Sequence, residues 1–362
     1  MNLLKCLMPL PYVIGLVLSL ASPPDVRGQG RVIDTPNLRP TRGTPGRFDT
    51  VMVRANAAPD TATEFATITD VVLDSAGHIL AVDASGRRLI ILDPSGQVRG
   101  VLGRGGAGPG EFRFPHLATV AANGTVIVLD ETVNRLTLFD RQLQFVRTVP
   151  LPGYLNASSM LAVGDELFVA GTLTLPGAEN KAIHALSFDG AYLRSFGQLV
   201  DAANPGVRRA IGGGVLAPAR AGGIWFSQRA PYLIERYAVD GTLEVRILRP
   251  NDFLPSAESA FPVRVSESRT VFMAPTPFAR AAAIQELPGG VLLNQTVLPS
   301  GDVITDVYRP SRDGSYRLAS SHQHPGPILL RRGPNGDFLS LFRTDWNTAN
   351  GVMLVRFTPS WE

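Results

Sequence analysis

The sequence predicts an all-β fold, a six-bladed β-propeller of four-stranded antiparallel blades whose ring is closed by an N-terminal strand completing the last blade. Three observations predict it. First, two stretches copy each other 47 residues apart. Glu64-Phe65 leads into an apolar strand, a turn at Gly77 and a second strand ending on Asp83; Glu111-Phe112 leads through the same sequence of features to Gly124 and Asp130. A repeat of this period indicates a propeller or solenoid. Second, a Gly turn into a short apolar strand recurs at Gly77, Gly124, Gly164, Gly222, Gly289 and Gly336. Third, most copies are followed by a hairpin, so that each unit holds four strands.

The elements follow in chain order. Residues 1–21 read as a signal peptide: Lys5, an apolar stretch from Leu7 to Ala21, and the small-x-small site Ser19-Leu20-Ala21. Residues 22–46 read as a linker, and 47–362 as one propeller. The hairpins run from Arg88 to Gly103, Arg135 to Val149, Ile183 to Phe196, Glu235 to Ile247 and Asp306 to Leu318. In the last copy Gly351–Phe357 supplies a third strand with no fourth after it, while Phe48–Arg54 has no hairpin partner. Pairing these two closes the ring and leaves no open sheet edge at the seam. The intervals near 200–219 and 249–283 exceed what the repeat needs, and such insertions lie on binding faces.

Composition narrows the partners. Formal net charge is only +3 and no basic cluster occurs, so no nucleic-acid partner is expected. Lys5 and Lys181 are the only lysines among 34 basic residues. Cys6 is the single cysteine and lies in the leader, which leaves the mature chain without disulfides or thiolate ligands. Together with the leader this points to an exported protein, periplasmic or extracellular, with no transmembrane anchor in the mature chain and a monomeric state.

At Gly103-Arg104-Gly105-Gly106-Ala107-Gly108-Pro109-Gly110-Glu111-Phe112, followed by Pro115, the chain resembles six-bladed propellers of the NHL-repeat type. It is most similar to exported bacterial members of unassigned function. Asp130 to Phe139, with Asn134 and Arg135, resembles the NHL core pattern, and Asp83 to Leu92 matches it with Ala84-Ser85-Gly86-Arg87 in place of the Asn element. The resemblance covers residues 64–150 and implies the fold, not an activity.

Candidate chemistry is sparse. Gly103-x-Gly105-x-x-Gly108 has the letters of a dinucleotide fingerprint, but Pro109-Gly110 and a strand follow where a helix is required. Asp83, Asp130, Asn134 and Arg135 read as turn residues that satisfy backbone groups. Arg87, Arg88, Arg104, Arg113 and Arg135 fall in or beside loops of one face, with His116 near them, and together suit a small anionic ligand or an acidic protein. The leading reading is therefore a binding module with no catalytic apparatus and no cofactor. The alternative is a metal-dependent lyase or lactonase-like hydrolase, with a divalent metal such as calcium held by Asp70 and His116 at the central channel. His322 and His324 offer a second chelating pair. The two best copies differ where a site would lie, with Asp70 set against Ala118-Thr119 and Ile68 against His116.

Overall fold

The structure, a computed structural model, describes residues 30–55, 64–200, 205–250, 263–266, 269–272, 278–333, 335–343 and 349–361; the leader expected over 1–21 lies outside them. Six four-stranded antiparallel sheets stand around a central channel, numbered here from the first repeat. Blade one holds Ile68–Leu73, Ile79–Asp83, Arg88–Leu92 and Val98–Leu102. Blade two runs from Pro115–Val120 to Phe145–Pro150, and blade three from Tyr154–Val163 to Tyr192–Gln198. Blade four spans Gly214–Pro218 to Leu243–Leu248, and blade five Arg280–Glu286 to Tyr316–His324. Blade six takes Arg331–Arg332, Phe338–Arg343 and Ala349–Pro359 from the C-terminal end, then Gly46–Ala55 from the N-terminal end. This last strand pairs antiparallel with its neighbour, Phe48 opposite Phe357 and Val53 opposite Met353, so the ring closes as expected.

The sequence signals have direct physical causes. All six predicted turn glycines have positive φ, from 59° at Gly164 to 87° at Gly222, where a Cβ would be disfavoured. The Phe of each Glu-Phe start is an inter-blade plug. Phe65 packs between blades six and one with Met52, Leu339 and Val352, and Phe112 between blades one and two with Val82, Leu89 and Phe139. Asp83 and Asp130, both fully buried, accept backbone N–H bonds from the segments that enter the innermost strands: Ala66 and Thr67 at Asp83, Arg113 and Phe114 at Asp130. Each of these two repeats thus carries its own plug and its own clamp.

The stretch expected as a linker is partly structured. Arg31–Asp34 pairs parallel to the outer strand of blade four, and Thr41–Arg42 pairs parallel to that of blade five. Thr35 bonds to the Leu248 carbonyl through both its N–H and its hydroxyl, and Gly43 N–H reaches the Gln323 carbonyl. The arm therefore covers two sheet edges before entering blade six, which removes unpaired backbone from solvent. The two long intervals also carry structure. A short helix, α1 (Pro205–Ile211), precedes blade four, and a hairpin of Val263–Ser266 with Arg269–Phe272 precedes blade five. Val207 and Ile211 of α1 pack with Ala230 and Phe278.

Candidate functional site

Four innermost strands share one irregularity. Pairing with the second strand skips a residue at Thr69, His116, Ser158 and Ala282 in blades one, two, three and five. Such a bulge leaves the extra residue unpaired and re-aims its side chain. All four line a single cavity of about 790 Å³ in the channel. The bulge corrects the alignment of the two best copies: Thr69, not Ile68, stands where His116 stands, and Asp70 matches Leu117.

The cavity lies at the end of the channel where chain enters the innermost strands. Loops from outer to innermost strand and from second to third strand share this end, and both kinds contribute. Pro325–Ile328 comes from the first kind, Pro299–Gly301 from the second. Arg229, Arg280 and Arg331 line it from blades four, five and six. Arg229 is held from above, its Nη1 donating to the Ala210 carbonyl of α1 at 2.9 Å while its own carbonyl accepts from Ala281 N–H. Burial lowers its pKa, but an arginine has far to fall before it loses its charge. Arg331 donates from Nη1 to the Leu330 carbonyl and sets Nη2 3.8 Å from Asp70 Oδ1.

Asp70 is the one carboxylate among the described lining residues. Its oxygens are already engaged. Oδ1 accepts from Val71 N–H at 2.9 Å, and Oδ2 accepts from Ala118 N–H on the next blade at 3.1 Å. Thr119 and Ser159 tie blades two and three to their successors in the same way, accepting from Ala162 and Leu216 N–H. Asp70 is thus one of a series of inter-blade ties. Burial pushes its pKa up, while Arg331 and the two backbone bonds pull it back.

His116 sits half-buried at the channel rim, with Nδ1 3.9 Å from Glu131 Oε2 and without a hydrogen bond. Its ring lies 6.0 Å from that of Phe114, nearly parallel. Among the described residues no three His, Cys, Asp or Glu side chains gather as metal ligands. Both ring nitrogens of His324 are engaged, Nε2 with Thr305 and Nδ1 with Gly326 N–H, which separates it from His322 as a chelating partner.

The arginines read from the sequence divide into three groups. Arg88 donates to buried Asp83 and to the Glu64 carbonyl, and Arg135 donates to the carbonyls of Ala107 and Glu111. Both brace the strand entries. Arg104 extends into solvent and pairs with Glu111, whose pKa is lowered first by the Gly108 N–H bond and then by Arg104. Arg87 and Arg113 instead line a shallow dent with Gly106, Ala107 and Thr132. Sequence reasoning missed Arg229, Arg280 and Arg331, because only the ring brings positions so far apart in the chain to one cavity.

Known proteins share the architecture. A presumptive exported protein from Bacteroides fragilis superposes with a TM-score of 0.55 at 10% identity, over 91% of this chain and 100% of that one. A member of the DUF4221 family from Bacteroides vulgatus gives 0.52 at 8% identity, over 88% and 100%. The WD40 repeats of RRP9 give 0.50 at 9% identity, over 86% and 100%. At such identities the likeness shows the fold alone. Neither a protein-family model nor a curated protein matches the chain.

Proposed function

We propose that the protein is an exported binding module that takes a small anionic ligand in the mouth of its channel. The observation that carries this reading is the lining of one cavity, where Arg229, Arg280 and Arg331 are gathered with a single carboxylate, Asp70, among the described lining residues. A cavity of about 790 Å³ has the volume of a small-molecule site. Apolar walls from Leu117, Leu216, Ile284 and Leu330 lower the local dielectric and strengthen charge pairing inside it. Guanidinium groups suit carboxylate and phosphate because their paired N–H donors match two oxygens at once. The leader-like residues 1–21 support export, and among the described residues no helix is long and apolar enough to cross a membrane. The metal-dependent alternative gains no support from Asp70, whose oxygens serve backbone N–H groups.

A thermal-shift panel tests the ligand class. Di- and tricarboxylates such as succinate and tricarballylate are expected to raise the melting temperature in proportion to the logarithm of concentration, and their neutral amides are expected not to. Equal shifts from acids and amides, or a stoichiometric metal retained after dialysis, overturn the reading.

A further inference from the structure

Blades one and two carry equivalent loops between their second and third strands, and the loops differ at one telling position. Blade two ends its loop on Asn134, with φ 48°. Asparagine tolerates the left-handed region, and this one ties blade two to blade three: Nδ2 donates to the Gly153 carbonyl at 2.6 Å, and Oδ1 accepts from Leu155 N–H at 3.2 Å. Blade one places Arg87 at the equivalent point, with φ 57°. A left-handed arginine is a strained choice, and strain of this kind collects at functional sites. Arg87 makes no tie like that of Asn134. Its side chain runs over Gly105, where an added Cβ would meet Arg87 Cδ at 3.1 Å.

That path puts Arg87 beside Arg113 in a dent of about 360 Å³, floored by Gly106 and Ala107 and edged by Thr132. Among the described residues neither guanidinium has a bonded acceptor, whereas Arg88, Arg104 and Arg135 nearby are all engaged. Glu111 sets its carboxylate against Gly106 at the floor, but that carboxylate is taken up by Arg104 and the Gly108 N–H, which leaves the two guanidinium groups to an added anion. We propose that this dent is a second site, separate from the channel, for an oxoanion such as phosphate or sulfate. Arg87 and Arg113 supply the paired donors and the Thr132 hydroxyl a third.

Calorimetric titration of the full chain tests it, with inorganic phosphate and glucose 6-phosphate as probes. The first represents a free ion and the second a phosphoryl group carried on a larger molecule, so their order of affinity tells the two sources apart. The variants are Arg87→Asn and the double variant Arg87→Asn/Arg113→Gln. Because asparagine fits the backbone at this position, Arg87→Asn is expected to keep or raise the melting temperature. Phosphoryl affinity is expected to fall about 10-fold in the single variant and further in the double. Arg331→Gln, which alters only the channel, leaves this binding in place, so failure of the channel reading and of this one are distinguishable. Unsaturable binding of both probes by the wild type, or unchanged affinity in the double variant, overturns the proposal.

Discussion

His184 is wholly buried in blade three, and its hydrogen bonds fix its tautomer. Nε2–H donates to the Gly171 carbonyl at 3.2 Å, so Nδ1 accepts from the Ser195 hydroxyl at 2.7 Å. Burial pulls its pKa down to about 4, and burial does the same to His324. Both rings are neutral in the folded protein at pH values where the unfolded chain would protonate them. Each therefore stabilises the fold less as pH falls from the ordinary histidine value near 6.5 toward 4, by roughly 3 kcal/mol apiece at most. The raised pKa values of buried Asp70 and Asp306 act in the opposite sense, since those carboxyls take up protons in the folded state first. Urea unfolding between pH 7.5 and 4.5 should show stability level above about pH 6.5 and falling as pH drops below it. His184→Gln should flatten that limb, and an unchanged slope in the variant would contradict the assignment. At this scale the sequence was partly legible. Asp83 and Asp130 do serve backbone groups, as their residue types suggested, but apart from the Gly86 N–H at Asp83 the groups bonded here lie in the strand entries 16 residues upstream rather than in their own turns, and Arg135 likewise reaches back to Ala107. Asp70 was not legible, since its partner Ala118 lies 48 residues away.

The element least visible in the sequence is the N-terminal arm. A strand of four residues and one of two, paired parallel to sheet edges, leave no periodic pattern to read. Their role shows in what they cover. Arg249 and Asp306 form an ion pair at 3.3 Å with both side chains fully buried between blades four and five. Arg249 also donates to the Leu38 carbonyl of the arm and to Ser321. Tyr232 donates to Asp306 and accepts from Tyr308, which completes the cluster. Removing one member of a buried pair leaves its partner uncompensated, so Arg249→Ala should cost about 3–5 kcal/mol in chemical denaturation. The exposed pair Arg47–Asp49 offers a contrast, and Asp49→Asn should change stability by less than about 1 kcal/mol. A small effect at Arg249 would mean that the arm and the cluster do not hold blades four and five together. The glycine turns and four-strand units were legible because each is a local signal; the bulges at Thr69, His116 and Ser158 were not, because a skipped pairing appears only against the neighbouring strand.

Across the whole molecule, the ring converts weak local similarity into one shared mouth. The N-terminal strand was placed from a count of unpaired strands, and the structure pairs it as that count required. The candidate channel site needed the closed ring to become visible, since Arg229, Arg280 and Arg331 share no motif and line one cavity only because three blades border one channel. Closure also fixes the site, because loops carried on a rigid scaffold keep their geometry while their residues vary. The central claim is that these three arginines bind a small anion. Titration calorimetry with tricarballylate tests it most directly, on the wild type, Arg280→Gln and Arg331→Gln at constant ionic strength. The account predicts one saturable site in the wild type and a loss of roughly 10- to 100-fold in affinity in each variant. No saturable heat in the wild type, or equal affinity in all three proteins, would contradict it.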